Sequence, residues 1–189
     1  MSTPPTVAEQ GLAMRTGAWP DYGLIDSGGG RKLERYGRYR VSRPEPQCLW
    51  DPRLPPAEWE RADAVFDPSD EEEAGNWRFK GGPIAPFALS WEGVKFHGQF
   101  TSFRHLAFFP EQAANWAWLK GRVHAAGSGC RVLNLFGYTG VASLVCAAAG
   151  AAVTHVDASK RAIGWARENA ALAGLEDHPV RWICEDARR

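Results

Sequence analysis

The ten residues from Arg131 to Gly140, R-V-L-N-L-F-G-Y-T-G, constrain this chain more than any other stretch. Apolar side chains alternate up to Phe136, the pattern breaks at Gly137, and after Gly140 the small and apolar run Val141 to Ala149 suits a helix. That order predicts a buried strand, a tight glycine turn and a helix N-terminus. Such a junction gathers unpaired backbone N–H groups and the positive end of a helix dipole at one point, which favours an anionic group of a ligand. The stretch therefore proposes a cofactor site.

The rest of the C-terminal half repeats the pattern. The expected order is strand Val132–Phe136, helix Thr139–Ala149, strand Ala152–Val156, helix Ser159–Ala173 and strand Val180–Cys184, with Gly150 and Gly174 placed for left-handed helix ends. Alternation of this kind implies right-handed crossovers and a parallel sheet. A helix opened by Pro110, with Trp116, Leu119 and Val123 on one buried face, precedes it. The chain stops just after its third strand, so one half of a doubly wound sheet is expected, with the third strand's edge exposed.

Residues 1–17 read as a flexible lead. Residues 18–108 read as a small β-rich, aromatic-rich domain: two extended segments around Gly28, Gly29 and Gly30 between Tyr22 and Val41, and an irregular connection with five prolines from Pro44 to Pro56. An acidic loop at Asp70–Glu73 then precedes short strands at Trp77–Lys80, Phe87–Trp91 and Val94–His97. Residues 109–189 form the incomplete Rossmann-like unit. The fold class is α/β.

Composition matters mainly for what it does not demand. Twenty-two basic and 22 acidic residues balance, so any nucleic-acid or membrane partner needs a local patch. Cys48, Cys130, Cys146 and Cys184 lack metal or disulfide spacing and read as buried free thiols in a cytoplasmic protein. The five histidines show no metal-ligand spacing, and the four tryptophans Trp116, Trp118, Trp165 and Trp182 read as core. No signal segment or membrane span is expected.

Three candidate ligand positions fall at the carboxyl ends of the three successive strands, where open parallel sheets bind small molecules. They are the loop Phe136–Gly140, Asp157 for ribose hydroxyls, and Asp186 near an adenine amino group. Asp157 follows Gly137 by twenty residues. It could instead cap the helix beginning at Ser159. A dinucleotide and S-adenosylmethionine both fit the three positions. A pyrophosphate wants G-x-G-x-x-G, whereas here Tyr138 occupies the space it would need and no third glycine follows. S-adenosylmethionine lacks phosphate, and its carboxylate and ammonium can use the helix N-terminus and Asn134. Methyl transfer is the better expectation.

V-L-N-L-F-G-Y-T-G, with V-D-A-S-K-R-A and A-R-E-N-A-A-L-A-G-L after it, resembles class I S-adenosylmethionine-dependent methyltransferases, closest to those that modify bases of large-subunit ribosomal RNA. Upstream, L-I-D-S-G-G-G-R-K-L-E-R-Y-G and F-F-P-E-Q-A-A-N-W resemble a bacterial branch of that group. The resemblance implies that Phe136, Gly137, Tyr138, Thr139 and Gly140 line the methionine end of the cofactor, that Asp157, with Ser159 beside it, holds ribose, and that Asp186 lies near adenine. Phe109, Glu111 and Gln112 match a segment that closes over the cofactor, although Ala113 stands where relatives often carry arginine and Ala173 where asparagine is common. The family pattern continues into a D-P-P-K type segment that positions the acceptor base. This sequence has none, so the catalytic residues are not assigned and the chain is expected to be a fragment with weak or no activity alone.

The basic and aromatic run Arg31, Lys32, Arg35, Tyr36, Arg38, Tyr39, Arg40 offers candidate RNA contacts at its five cations. A solvated face with the tyrosines covering a core is the competing expectation. The function expected first is methylation of a ribosomal RNA base. A small-molecule or protein methyltransferase, a non-catalytic cofactor-binding remnant and, less favoured, a nicotinamide-dependent oxidoreductase remain beside it.

Overall fold

The computed structural model describes residues 14–69 and 75–188. Most of the lead at 1–17 and the acidic loop at 70–73 lie outside the described residues.

A five-stranded sheet comes first, in the order β1-β2-β3-β4-β5, formed by Tyr22–Gly28, Arg31–Tyr36, Tyr39–Pro44, Ala64–Pro68 and Gly75–Phe79. Gly29 and Gly30 turn β1 into β2 with φ of 56° and 73°, a left-handed pair that a two-residue hairpin requires. The expected single hairpin is in fact a three-stranded meander. Gly37, at φ 57°, makes a second tight turn, so the basic run occupies two paired strands rather than one. Strand β4 was not expected from the sequence. It pairs in parallel with β3, which forces the proline-rich segment between them to cross over one face of the sheet. That crossover holds a short helix α1, Pro56–Trp59, and is fixed by Asp26, which accepts hydrogen bonds from the Leu54 N–H at 2.9 Å, the Arg53 N–H at 3.3 Å and Trp59 Nε1 at 3.2 Å.

The opposite face carries a buried polar knot. Glu34, 0% exposed, accepts two hydrogen bonds from the Arg43 guanidinium at 2.6 and 3.0 Å and one each from Tyr22 Oη at 2.9 Å and Tyr36 Oη at 3.2 Å. Both carboxylate oxygens of Glu34 are thereby matched, which offsets the cost of burying its charge. Burial, reinforced by the charge of Glu34, pushes the Tyr36 hydroxyl far above its ordinary pKa, so it stays a donor.

A hairpin, β6 Phe87–Trp91 and β7 Val94–Gly98, then packs against the helices of the second half. The Pro110 segment begins as a 3-10 turn, Pro110–Gln112, before α2, Ala113–Ala126. The parallel sheet has the order β10-β9-β8, from Val180–Cys184, Ala152–Asp157 and Arg131–Leu135, with α3, Val141–Ala148, and α4, Lys160–Ala173, as crossovers. One buried cluster runs from Tyr36 and Val41 through Trp91, Phe96 and Trp116 to Leu144 and Ala170, so the core is continuous across residues 108 and 109.

The expectation of a buried opening strand needs correction. Leu133 is 62% and Leu135 44% exposed, because the helices pack on the face carrying Val132 and Asn134 and leave the other face uncovered. Both β8 and β10 are edges of this sheet. Trp118 and Cys184 are likewise exposed rather than buried, and all four cysteines are free. No helix among the described residues is long and apolar enough to cross a membrane, and no group of side chains there could hold a metal ion.

Candidate cofactor site

The glycine loop sits at the carboxyl end of β8. It reverses direction through backbone that L-residues rarely adopt, with Phe136 at φ 57°, Tyr138 at 49° and Gly140 at 85°. Two non-glycine residues in the left-handed region store strain of roughly 1 kcal/mol each, which persists only where surroundings enforce it. The enforcing contacts are visible. The Gly137 N–H donates to the Val156 carbonyl at 3.0 Å, and a Cβ on Gly137 would lie 2.3 Å from the His155 ring. His155 is buried beneath the loop, with Nδ1 2.9 Å from Ser143 Oγ and its ring 4.9 Å from that of Trp182. Burial lowers its pKa, against the opposing charge of Asp157, so the ring is neutral.

Asp157 closes the loop from the neighbouring strand. Its Oδ2 accepts the Tyr138 N–H at 2.8 Å and its Oδ1 the Ser159 N–H at 2.8 Å. Each oxygen retains a further acceptor direction. The helix cap itself is Ser159, whose hydroxyl accepts from the Ala162 N–H at 3.2 Å. Thr139, buried, donates to the Ala107 carbonyl at 2.6 Å, and its own carbonyl accepts from Asn169 Nδ2 at 2.9 Å. Asn169 Oδ1 in turn accepts the His97 N–H at 2.9 Å. One buried amide therefore joins the loop, α4 and the β6–β7 hairpin.

The N–H groups of Gly137, Tyr138 and Gly140 are thus committed inside the protein, fewer donors than the sequence pattern suggests. The first turn of α3 still presents Val141, Ala142 and Ser143, since the first intrahelical bond is from Leu144 N–H to the Gly140 carbonyl. A cavity of about 290 Å³ opens against this turn, lined among others by Phe109, Gln112, Asn134, Phe136, Gly137, Tyr138 and Thr139. Burial pushes the Tyr138 hydroxyl up to about 12, with Arg161 opposing and Asp157 adding to the shift.

The structure gathers Gln112, Asn134 and the loop residues Phe136 to Thr139 on that cavity. Gly140 lies behind it, where a Cβ would meet Ala166 Cβ at 2.9 Å. Glu111 is exposed, and its carbonyl accepts from Thr16 Oγ1 at 2.6 Å. Asp186, after β10, accepts from Arg188 Nη2 at 3.1 Å and the Arg188 N–H at 3.0 Å. The five basic candidates are each engaged locally: Arg31 with Ser42 and Phe66, Lys32 with Glu45, Arg35 with the Trp19 and Pro20 carbonyls, Arg38 with Tyr39, and Arg40 with Glu58. His155 and Asn169 were missed. Asn169 carried a signal, being a polar residue on the buried stripe of Ile163, Ala166 and Ala170.

No protein-family model matches the chain. A crystal structure of the SAM-dependent methyltransferase from Agrobacterium tumefaciens is 58% identical with a TM-score of 0.88, over 92% of this chain and 55% of that one. A proposed SAM-dependent methyltransferase from Streptococcus mutans shares the fold at 16% identity and a TM-score of 0.68, over 89% of this chain and 47% of its own. Among curated sequences, the ribosomal RNA large subunit methyltransferase K/L of Shewanella baltica is 37% identical over 95 residues, 50% of this chain and 13% of that enzyme. The chain thus spans about half the length of the A. tumefaciens protein and a small part of the K/L enzyme. Its fold is that of class I SAM-dependent methyltransferases.

Proposed function

We propose that this chain is the cofactor-holding part of an S-adenosylmethionine-dependent methyltransferase that acts on RNA, with a ribosomal RNA base as acceptor. The observation that carries the reading is the 2.8 Å hydrogen bond from the Tyr138 N–H to Asp157, which locks the glycine loop of one strand to the carboxylate at the end of the next. The donor set suits the cofactor. The first turn of α3 can hold its carboxylate, the carbonyl oxygen of Asn134 its ammonium, and the remaining acceptor directions of Asp157 its ribose hydroxyls. When bound, S-adenosylmethionine supplies an electrophilic methyl group. The protein's own contribution is positioning: Gly137 sealed on His155, Thr139 tied to Ala107, and Phe109 and Tyr138 walling off water. Residues 18–108 form the substrate-presenting domain of this reading, and the enzyme works in the cytoplasm. The names of the K/L relatives support RNA as acceptor.

Calorimetric titration with S-adenosylhomocysteine tests the site. Micromolar binding, on the order of −8 kcal/mol, is expected, weakened tenfold or more in Asp157→Asn. A chain folded by circular dichroism that does not bind would overturn the assignment. Transfer of tritiated methyl groups to ribosomal RNA, rather than to protein or small acceptors, tests the substrate class.

A further inference from the structure

A second cavity lies away from the glycine loop. It encloses about 800 Å³ between the five-stranded sheet and the crossover that joins β3 to β4. Leu54, Pro52, Pro56, Trp59 and Ala62 supply apolar wall from the crossover, and Arg31, Ser42, Val65, Arg78 and Lys80 line it from the sheet side. The crossover is held rigidly. The indole of Trp59 is fixed by its hydrogen bond to Asp26 at 3.2 Å, and Pro52 approaches so closely that a Cβ on Gly28 would lie 2.4 Å from its nitrogen. The cleft is therefore a preformed feature of the fold.

Its charge is unbalanced. Three cations, Arg31, Arg78 and Lys80, line it against one carboxylate, Glu60. Arg78 is paired with Asp67. Arg31 is half-buried, and its bonded partners among the described residues are neutral: Ser42 Oγ at 3.1 Å, the Ser42 carbonyl at 3.2 Å and the Phe66 carbonyl at 3.0 Å. Burial lowers its pKa, Asp67 opposes, and the nearby charge of Arg78 lowers it further. Among the described residues Lys80 Nζ reaches the Glu60 carbonyl, at 3.5 Å. An apolar cleft with a fixed, half-exposed indole and surplus positive charge suits a planar base attached to an anionic backbone.

We infer that this cleft binds a single-stranded nucleotide of the RNA substrate, its base against the Trp59 and proline wall and its phosphate at Arg31, Arg78 and Lys80. The inference rests on the RNA reading above and deepens it, assigning the β-rich segment an anchoring role away from the methyl-transfer site. It also gives the domain a grip on RNA that does not call on Lys32, Arg35, Arg38 or Arg40, which are engaged elsewhere. The gripping cations come from β2, from β5 and from the residue just beyond β5.

The test is fluorescence anisotropy of the whole chain with a fluorescein-labelled 12-mer oligouridylate, alongside titration with S-adenosylhomocysteine. Arg78→Glu combined with Lys80→Glu is expected to weaken RNA binding tenfold or more and to leave the homocysteine derivative's affinity unchanged. Arg122→Glu combined with Arg167→Glu, the same change in charge away from the cleft, is expected to cost less than threefold. Lys80→Glu alone, at an exposed residue, keeps the test decisive if the double variant does not fold, and is expected to weaken binding about threefold or more. A 4-thiouridine version of the oligonucleotide should cross-link to the tryptic peptide Leu54–Arg61, which carries Trp59. RNA binding unaltered by Lys80→Glu and by the folded double variant would overturn the cleft alone. Uridine monophosphate competing as well as the 12-mer would assign the cleft to a free nucleotide and overturn it too. Wild-type protein that binds S-adenosylhomocysteine but no oligonucleotide would overturn both the cleft and the RNA reading.

Discussion

The five-stranded sheet and the parallel sheet solve the same problem to different degrees. The five-stranded sheet has the aromatic core on one face and the proline-rich crossover, with the cleft beneath it, on the other, and both carboxylate oxygens of its buried Glu34 are hydrogen-bonded. The parallel sheet is covered on one face only. Leu133, Leu135 and Phe136 remain 62%, 44% and 65% exposed. Burial of apolar area is the main source of folding free energy, so the first sheet contributes to stability with both faces and the second with one. The glycine loop nevertheless lies on the half-covered sheet, held by long-range hydrogen bonds with Asp157, Asn169 and Ala107 rather than by packing on both sides.

The largest expected effect that tests this contrast is at the polar knot. Glu34→Ala strands the buried Arg43 charge and is expected to destabilise the fold by about 3–5 kcal/mol in urea unfolding. A loss below about 1 kcal/mol would mean that water reaches Arg43 and that the first sheet is less well sealed than described. Next comes a matched pair of leucines. Leu144→Ala, at a fully buried site on the covered face, is expected to cost about 2–5 kcal/mol, whereas Leu133→Ala on the bare face stays within about 0.5 kcal/mol. Equal losses would show that something covers the bare face in solution, and sedimentation would then report self-association.

Gly137→Ala sharpens the loop's place in the comparison. The added methyl meets the His155 ring, and overpacking of this kind costs about 1–3 kcal/mol. S-adenosylhomocysteine affinity should fall with it, by tenfold or more. The smallest effect concerns pH. His155 has a lowered pKa in the folded state, so the unfolded chain binds more protons as pH drops. The stabilisation from its neutral form is complete above the unfolded value, about 6.5, and is lost as pH falls toward the folded pKa. His155→Gln should flatten the acid side of the stability profile, below about pH 6.5, in denaturant titrations run as a function of pH.

Local patterns in the sequence were sufficient for the strand, glycine turn and helix at Val132–Ala149, for the alternation through Val180–Cys184, and for the hairpin at Phe87–His97. Each of these is written within a window of a few residues by periodicity and turn chemistry. The placement of Asp157 beside the loop also follows locally, because a parallel neighbour in register brings the ends of successive strands together. Strand β4 was not legible: A-V-F-D-P is short, and its partner β3 lies across a proline-rich segment. The second turn at Gly37 was hidden by the uniform basic and aromatic run around it.

Tertiary structure alone decided the rest. Asn169 meets His97 across 72 positions and Thr139 meets Ala107 across 32, and no local pattern encodes such pairings. Strand β8 alternates like any half-covered strand, and only the arrangement of α2, α3 and α4 on one side determines which of its faces is bare. The cleft between sheet and crossover has the same origin. Its cations and its indole come from strands and a connection separated in the chain, and it is the parallel pairing of β3 with β4 that carries the connection over the sheet and sets them around one space.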